Sequence, residues 1–130
     1  MLIQNIQLFT NGGQLAPFDE NTIGFPIKRI FYICNVPKNK IRGEHAHKTT
    51  KQLFICLQGS ILMRLFDGEQ EEQYILKPHQ SVYIAPLIWD SQIYFKNSIA
   101  LVLCSTLYDR KDYIEDIEEF KEIVNAKQNK

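Results

Sequence analysis

Two of the three histidines in this chain, His45 and His47, stand two residues apart in the stretch Arg42-Gly43-Glu44-His45-Ala46-His47. In an extended strand alternate side chains share a face, so both imidazoles would enter one pocket. An imidazole takes up and returns a proton near neutral pH, which suits a reaction that withdraws a proton from one atom and delivers one to the next. The same spacing also suits metal binding, with Gln52 and Asp90 available to complete a four-group set. A neutral amide adds little to metal affinity, which leaves two histidines and one aspartate, the ligand triad of some iron oxygenases.

The elements that must hold these groups are short. The histidines lead through 48–51 into an apolar run, Leu53-Phe54-Ile55-Cys56-Leu57, which Gln58-Gly59-Ser60 closes with a turn. Apolar or alternating segments at 27–34, 52–57, 60–66, 73–76, 81–85, 92–95 and 100–106 read as strands, separated by turn residues such as Asn11-Gly12-Gly13, Asp67-Gly68 and Lys96-Asn97. Asp67-Gly68 is a hairpin signal. After Tyr108 the period changes: Tyr113, Ile114, Ile117, Phe120, Ile123 and Val124 recur at helical spacing, and Asp109 stands as an N-cap. On this reading Asp112, Glu115, Asp116, Glu118 and Glu119 form the helix's wet face. The pattern predicts an all-β barrel over about 1–107 with a C-terminal α-helix over about 109–126, in a single domain of 1–130.

Composition narrows the function. Fifteen basic and fifteen acidic residues balance, so no global field draws the chain to nucleic acid or an anionic membrane, and an anionic ligand must be met by a few placed cations. Arg42, beside the histidines, and Arg29 are the candidates, because the guanidinium fork matches phosphate oxygens. The N-terminus lacks the pattern of a signal peptide and no segment reaches the length of a membrane span, which predicts a cytoplasmic protein. Cys34, Cys56 and Cys104 are odd in number, far apart and set in apolar runs, which predicts buried free thiols.

The spacing His45-x-His47, four residues, Gln52, six residues, Gly59 resembles the first motif of the cupins, and Tyr83 to Asp90 occupies the place of the second without its closing histidine. More closely, Lys28-Arg29-Ile30-Phe31-Tyr32, Arg42 to Lys48, Pro86-Leu87-Ile88-Trp89, Tyr108-Asp109 and Asp112-Tyr113-Ile114 resemble the bacterial sugar 3,4-ketoisomerases, from about residue 25 to 120. The resemblance implies a small jelly-roll barrel and an enzyme of nucleotide-sugar biosynthesis. Such enzymes move the ketone of dTDP-4-keto-6-deoxyglucose from C4 to C3, for later amination in surface polysaccharide, S-layer glycan or lipo-oligosaccharide. It implies that no metal or other cofactor is needed, and a homodimer with exchanged N-terminal strands.

Within that resemblance His45 and His47 are assigned jointly to proton transfer, with His47 favoured as the base. Tyr32 matches a family tyrosine and is assigned to the sugar oxygen or to the acid at C4; Gln52 and Trp89 are placed in the substrate pocket. Asp90 stands where the family carries histidine or another basic residue, and its carboxylate is expected to act on a facing imidazole or on the substrate. Three other readings remain beside the ketoisomerase: a metal-dependent cupin oxygenase, a sugar-nucleotide 3,5-epimerase and a non-catalytic sugar-nucleotide-binding module.

Overall fold

The structure is a computed structural model and describes residues 3–129. In chain order its elements are β1 (Ile3–Asn5), α1 (Glu20–Ile23), β2 (Arg29–Ile33), β3 (Ile41–His47), β4 (Gln52–Gln58), β5 (Ile61–Phe66), β6 (Glu71–Leu76), β7 (Gln80–Ile84), β8 (Trp89–Tyr94), β9 (Ile99–Cys104), a single 3₁₀ turn (Arg110–Asp112), β10 (Tyr113–Ile114) and α2 (Ile117–Gln128). The strands form two five-stranded sheets, ordered β1-β7-β4-β9-β2 and β10-β3-β8-β5-β6. Every pairing is antiparallel, the arrangement of a jelly roll.

Period-two burial builds the interior. Along β5 Ile61, Met63 and Leu65 are buried and their neighbours are half-buried on the opposite face. These residues meet Phe54, Cys56, Val82, Ile84 and Val102 of the other sheet in one apolar cluster. A second cluster lies outside the sheet that contains β3, where α2 covers it. Fully buried Phe120 packs on Phe66 and Trp89 at ring distances of 5.9 and 5.6 Å. No helix among the described residues is long and apolar enough to cross a membrane.

Three sequence expectations change. The histidines do not open the strand that holds Gln52. They end β3, and residues 48–51 carry the chain across to β4 in the other sheet. The terminal helix also begins later than its periodicity predicts. Asp109 caps only the 3₁₀ turn, by accepting from the Lys111 amide, and Asp116 caps α2 by accepting from Glu118. Between them Tyr113 and Ile114 pair with His47 and Ala46, because two apolar residues fit a short strand as well as a helical stripe and β3 offers an unpaired edge. Finally, Cys34 is exposed, while Cys56 and Cys104 are buried as free thiols.

Candidate active site

The site begins with a fault in β3. Gly43 and Glu44 both take left-handed φ values, 80° and 59°, and form a bulge against β8 in which Arg42 faces Gln92, Gly43 faces Ser91 and His45 faces Asp90. Arg42 and His45 are three residues apart and would lie on opposite faces of a regular strand. The extra residue brings both to the cavity side of the sheet. Glycine is required at 43, because a Cβ there would stand 2.7 Å from Asp90 Oδ1 and 2.8 Å from Gln92 Nε2.

Arg42 and His45 open onto a cavity of about 430 Å³ between the two sheets, whose wall also includes Arg29, Phe31, Gln52, Asp90, Gln92, Tyr108 and Tyr113. Gln52 is buried and its amide reaches Cys104 Sγ at 3.5 Å. Arg29 lies 5.7 Å from the ring centres of both Phe31 and Tyr108 and donates to the Tyr113 hydroxyl at 3.5 Å. The His45 ring stands 5.1 Å from that of Tyr113.

His47 is behind this wall, 2% exposed, with its ring 5.2 Å from His45 and 4.3 Å from Tyr113. Its Nδ1 is 2.9 Å from Asp112 Oδ2, and its buried Nε2 has no hydrogen-bond partner. Asp112 also accepts from the backbone amides and hydroxyls of Thr49 and Thr50, so its carboxylate ties the end of β3 to the turn before β10. Burial drives the His47 imidazole down to about 4, against the upward pull of the Asp112 bond. Burial would raise Asp112, but the bonds from Thr50, Thr49 and His47 prevail and hold it at about 2. His47 is therefore neutral near pH 7, donates Nδ1–H to Asp112 and keeps a lone pair on Nε2.

Both shifts make the fold lose stability as pH falls. The unfolded chain protonates His47 near 6.5 while the folded one resists to about 4, and the corresponding window for Asp112 runs from 3.8 to about 2. The melting temperature is expected to fall between pH 7 and 4, and to fall less in His47→Asn. Equal slopes in the two proteins, followed by circular dichroism, would show that His47 is not the group responsible.

Asp90 is 1% exposed. Its Oδ1 accepts from Gln92 Nε2, Gln92 Oε1 accepts from the Tyr94 hydroxyl at 3.0 Å, and Oδ2 has no hydrogen-bond partner. That free oxygen lies 3.9 Å from His45 Nε2. Burial pushes the Asp90 carboxyl upward, against His45 and the Gln92 bond.

Of the residues singled out from sequence, His45, Arg42, Arg29, Gln52 and Asp90 converge on the cavity and His47 backs it. Tyr32 does not reach it: Arg29, Phe31 and Ile33 line the cavity from the inner face of β2, so Tyr32 points outward and is 70% exposed. Trp89 is also turned away, since Asp90 and Gln92 hold the inward positions of β8 and Trp89 packs beneath Phe120. Tyr113 and Asp112, read from sequence as helix residues, belong to the site. The signal for them was the Asp112-Tyr113-Ile114 motif, which periodicity assigned to the wrong element. Among the described residues no group of three His, Cys, Asp or Glu side chains converges as a metal-binding set.

Comparison with known proteins decides the lineage. The family model described as FdtA, WxcM-like, C-terminal, matches residues 2–125. The chain belongs to this FdtA family. It is 34% identical over 121 residues, 91% of this chain and 87% of the relative, to a TDP-4-oxo-6-deoxy-alpha-D-glucose-3,4-oxoisomerase of Aneurinibacillus thermoaerophilus. Among solved structures it is similar to QdtA, a sugar 3,4-ketoisomerase from Thermoanaerobacterium thermosaccharolyticum in complex with TDP, with a TM-score of 0.91 and 32% identity, covering 97% of this chain and 95% of QdtA. WlaRA, a TDP-fucose-3,4-ketoisomerase from Campylobacter jejuni, gives a TM-score of 0.91 and 33% identity, with 96% of each chain covered. The resemblance of the motifs to the bacterial sugar 3,4-ketoisomerases and the jelly-roll fold thus agree with the whole-chain comparisons.

Proposed function

We propose that this FdtA-family chain is a sugar-nucleotide 3,4-ketoisomerase that converts dTDP-4-keto-6-deoxyglucose to a dTDP-3-keto-6-deoxyhexose. The observation that carries the reading is one cavity on which His45, Tyr113 and two arginines converge. Arg42 and Arg29 meet the diphosphate, a local answer to anionic charge in a chain of zero net charge. His45, which reaches the cavity where His47 does not, takes the proton from C3 as that C–H pair becomes the C3=C4 double bond and charge moves onto O4. Tyr113 accepts from Arg29 and so has its own O–H proton free to donate to O4, the role that sequence assigned to Tyr32. O3 then gives up its proton as C3=O forms, and C4 receives one. Protons lost from C3 and O3 balance those gained by O4 and C4, so no redox partner is consumed. His47, held through Nδ1 by Asp112, stands behind His45 with its ring 5.2 Å away and acts through that imidazole rather than on the sugar.

Proton NMR of chelator-treated protein with dTDP-4-keto-6-deoxyglucose in deuterated water tests the reading. A 3-keto product that a C3 aminotransferase then traps is the expected result. Deuterium exchange with the ketone left at C4 would indicate an epimerase, turnover only on adding metal an oxygenase-like cupin, and binding without exchange a sensing module.

The protein works as a homodimer, and its free cysteines fit the reducing cytoplasm. β2 is the edge of its sheet, and it turns Ile30, 61% exposed, and Tyr32 outward beside that edge. Exchange of N-terminal strands would replace the pairing of β1 with its own β7. Light scattering should give twice the chain mass for the native protein and a smaller mass for Ile30→Glu/Tyr32→Glu; a monomeric native protein would overturn the assignment.

A further inference from the structure

The inward face of β8 carries three consecutive polar side chains, Asp90, Gln92 and Tyr94, at 1%, 5% and 6% exposure. Barrel interiors are normally filled with apolar groups, so three buried polar residues in a row need a reason. Their bonds run in one direction. Tyr94 donates its hydroxyl to Gln92 Oε1, which fixes the Gln92 amide so that Nε2 donates to Asp90 Oδ1. The last atom of the chain, Asp90 Oδ2, is buried and without a hydrogen-bond partner, and the nearest charge-bearing group is His45 Nε2 at 3.9 Å. A buried carboxylate oxygen left unpaired is costly, and the site offers a donor just beyond bonding distance. Gly43 makes room for this packing, since any side chain there would collide with Asp90 and Gln92.

We propose that Asp90 is a positioning residue for His45: Oδ2 holds the proton on His45 Nε2, and so leaves Nδ1 as the nitrogen with a lone pair for exchange with the sugar. The gap of 3.9 Å closes when the site is loaded, as catalytic hydrogen bonds commonly tighten on binding. His45 and His47 then form two carboxylate–imidazole pairs of opposite sense. Asp112 holds Nδ1 of His47 and frees Nε2, whereas Asp90 holds Nε2 of His45 and frees Nδ1. The other groups that face His45 are Arg42 and His47 of its own strand, Arg29 of β2 and Tyr113 of β10.

This inference rests on the proposed role of His45, yet its first test needs no turnover. The ¹⁵N shifts of the imidazoles in dTDP-loaded protein report which nitrogen carries the proton. The expected result is the Nε2–H tautomer at His45 in the native protein, and a mixture or the Nδ1–H form in Asp90→Asn. A native His45 already in the Nδ1–H form, or one unchanged by the substitution, overturns the proposal whatever the reaction proves to be. In kinetics, Asp90→Asn should lower kcat by about 10–100-fold with KM nearly unchanged, the usual scale for removing an orienting partner. Tyr94→Phe leaves Asp90 in place and removes only the far end of the chain, so it should give the same changes at smaller amplitude. A rise in KM with kcat intact in both variants would make Asp90 a substrate contact and overturn the positioning role.

Discussion

His45→Asn is expected to lose turnover by about 10²–10⁴-fold, the range for removing a positioned acid–base group. Asparagine is close to the imidazole in size but cannot carry a proton at neutral pH, so the variant separates chemistry from shape. His45 forms part of the cavity wall while most of the surrounding contacts come from other strands, so dTDP binding should persist in the variant. His47→Asn is expected to be similarly impaired for a different reason. The asparagine amide can still donate to Asp112, so the tie between β3 and the turn before β10 survives, but the lone pair that Nε2 presents is gone. Coupled assays of kcat with calorimetric titration of dTDP make the comparison. Full activity in both variants would remove the imidazoles from the mechanism.

Arg42→Ala should weaken dTDP binding by about 1.5–3 kcal/mol, the worth of a hydrogen bond to a charged group, or roughly 10–150-fold in Kd. Arg42 has no ion pair among the described residues, so its charge is available to a ligand. With 15 basic and 15 acidic residues in the chain, removing one arginine barely alters the overall field. The loss should therefore appear at the site, grow as salt is lowered, and leave kcat at saturating substrate near its native value. Titration calorimetry at two ionic strengths measures it, and an unchanged Kd would take Arg42 out of the phosphate contact.

Strands β2 and β4 to β9 were legible because apolar or alternating runs are set off by turn residues, and their boundaries fall within a few positions of those observed, whereas β1, β3 and β10 were not read as strands of their own. The closeness of the His45 and His47 rings follows from their two-residue spacing, but only His45 lines the cavity. What the sequence hid depends on partners distant in the chain. Tyr113 and Ile114 satisfy a helical stripe by position, and only the unpaired edge of β3 makes them a strand. Asp112 looks like one more acid in an acidic run until Thr49, Thr50 and His47, more than sixty residues earlier, supply its bonds. Tyr32 and Trp89 failed for want of phase: both stand beside residues that do enter the barrel, and nothing in the local pattern says which of two adjacent side chains turns inward. Asp90 does line the cavity, and the Gln92–Tyr94 chain behind it was not foreseen.

The bulge at Gly43-Glu44 makes distance along the chain a poor guide to facing. Counted on β3, Arg42 and His45 are an odd number of residues apart; counted on the partner strand, Gln92 and Asp90 are an even number apart. Glu44 changes the parity. A relative lacking that one residue would carry arginine and histidine two positions apart and still aim both the same way, so the two spacings are geometric synonyms at this place in the fold. The anion anchor and the proton carrier can thus drift by one residue in sequence without parting company in space.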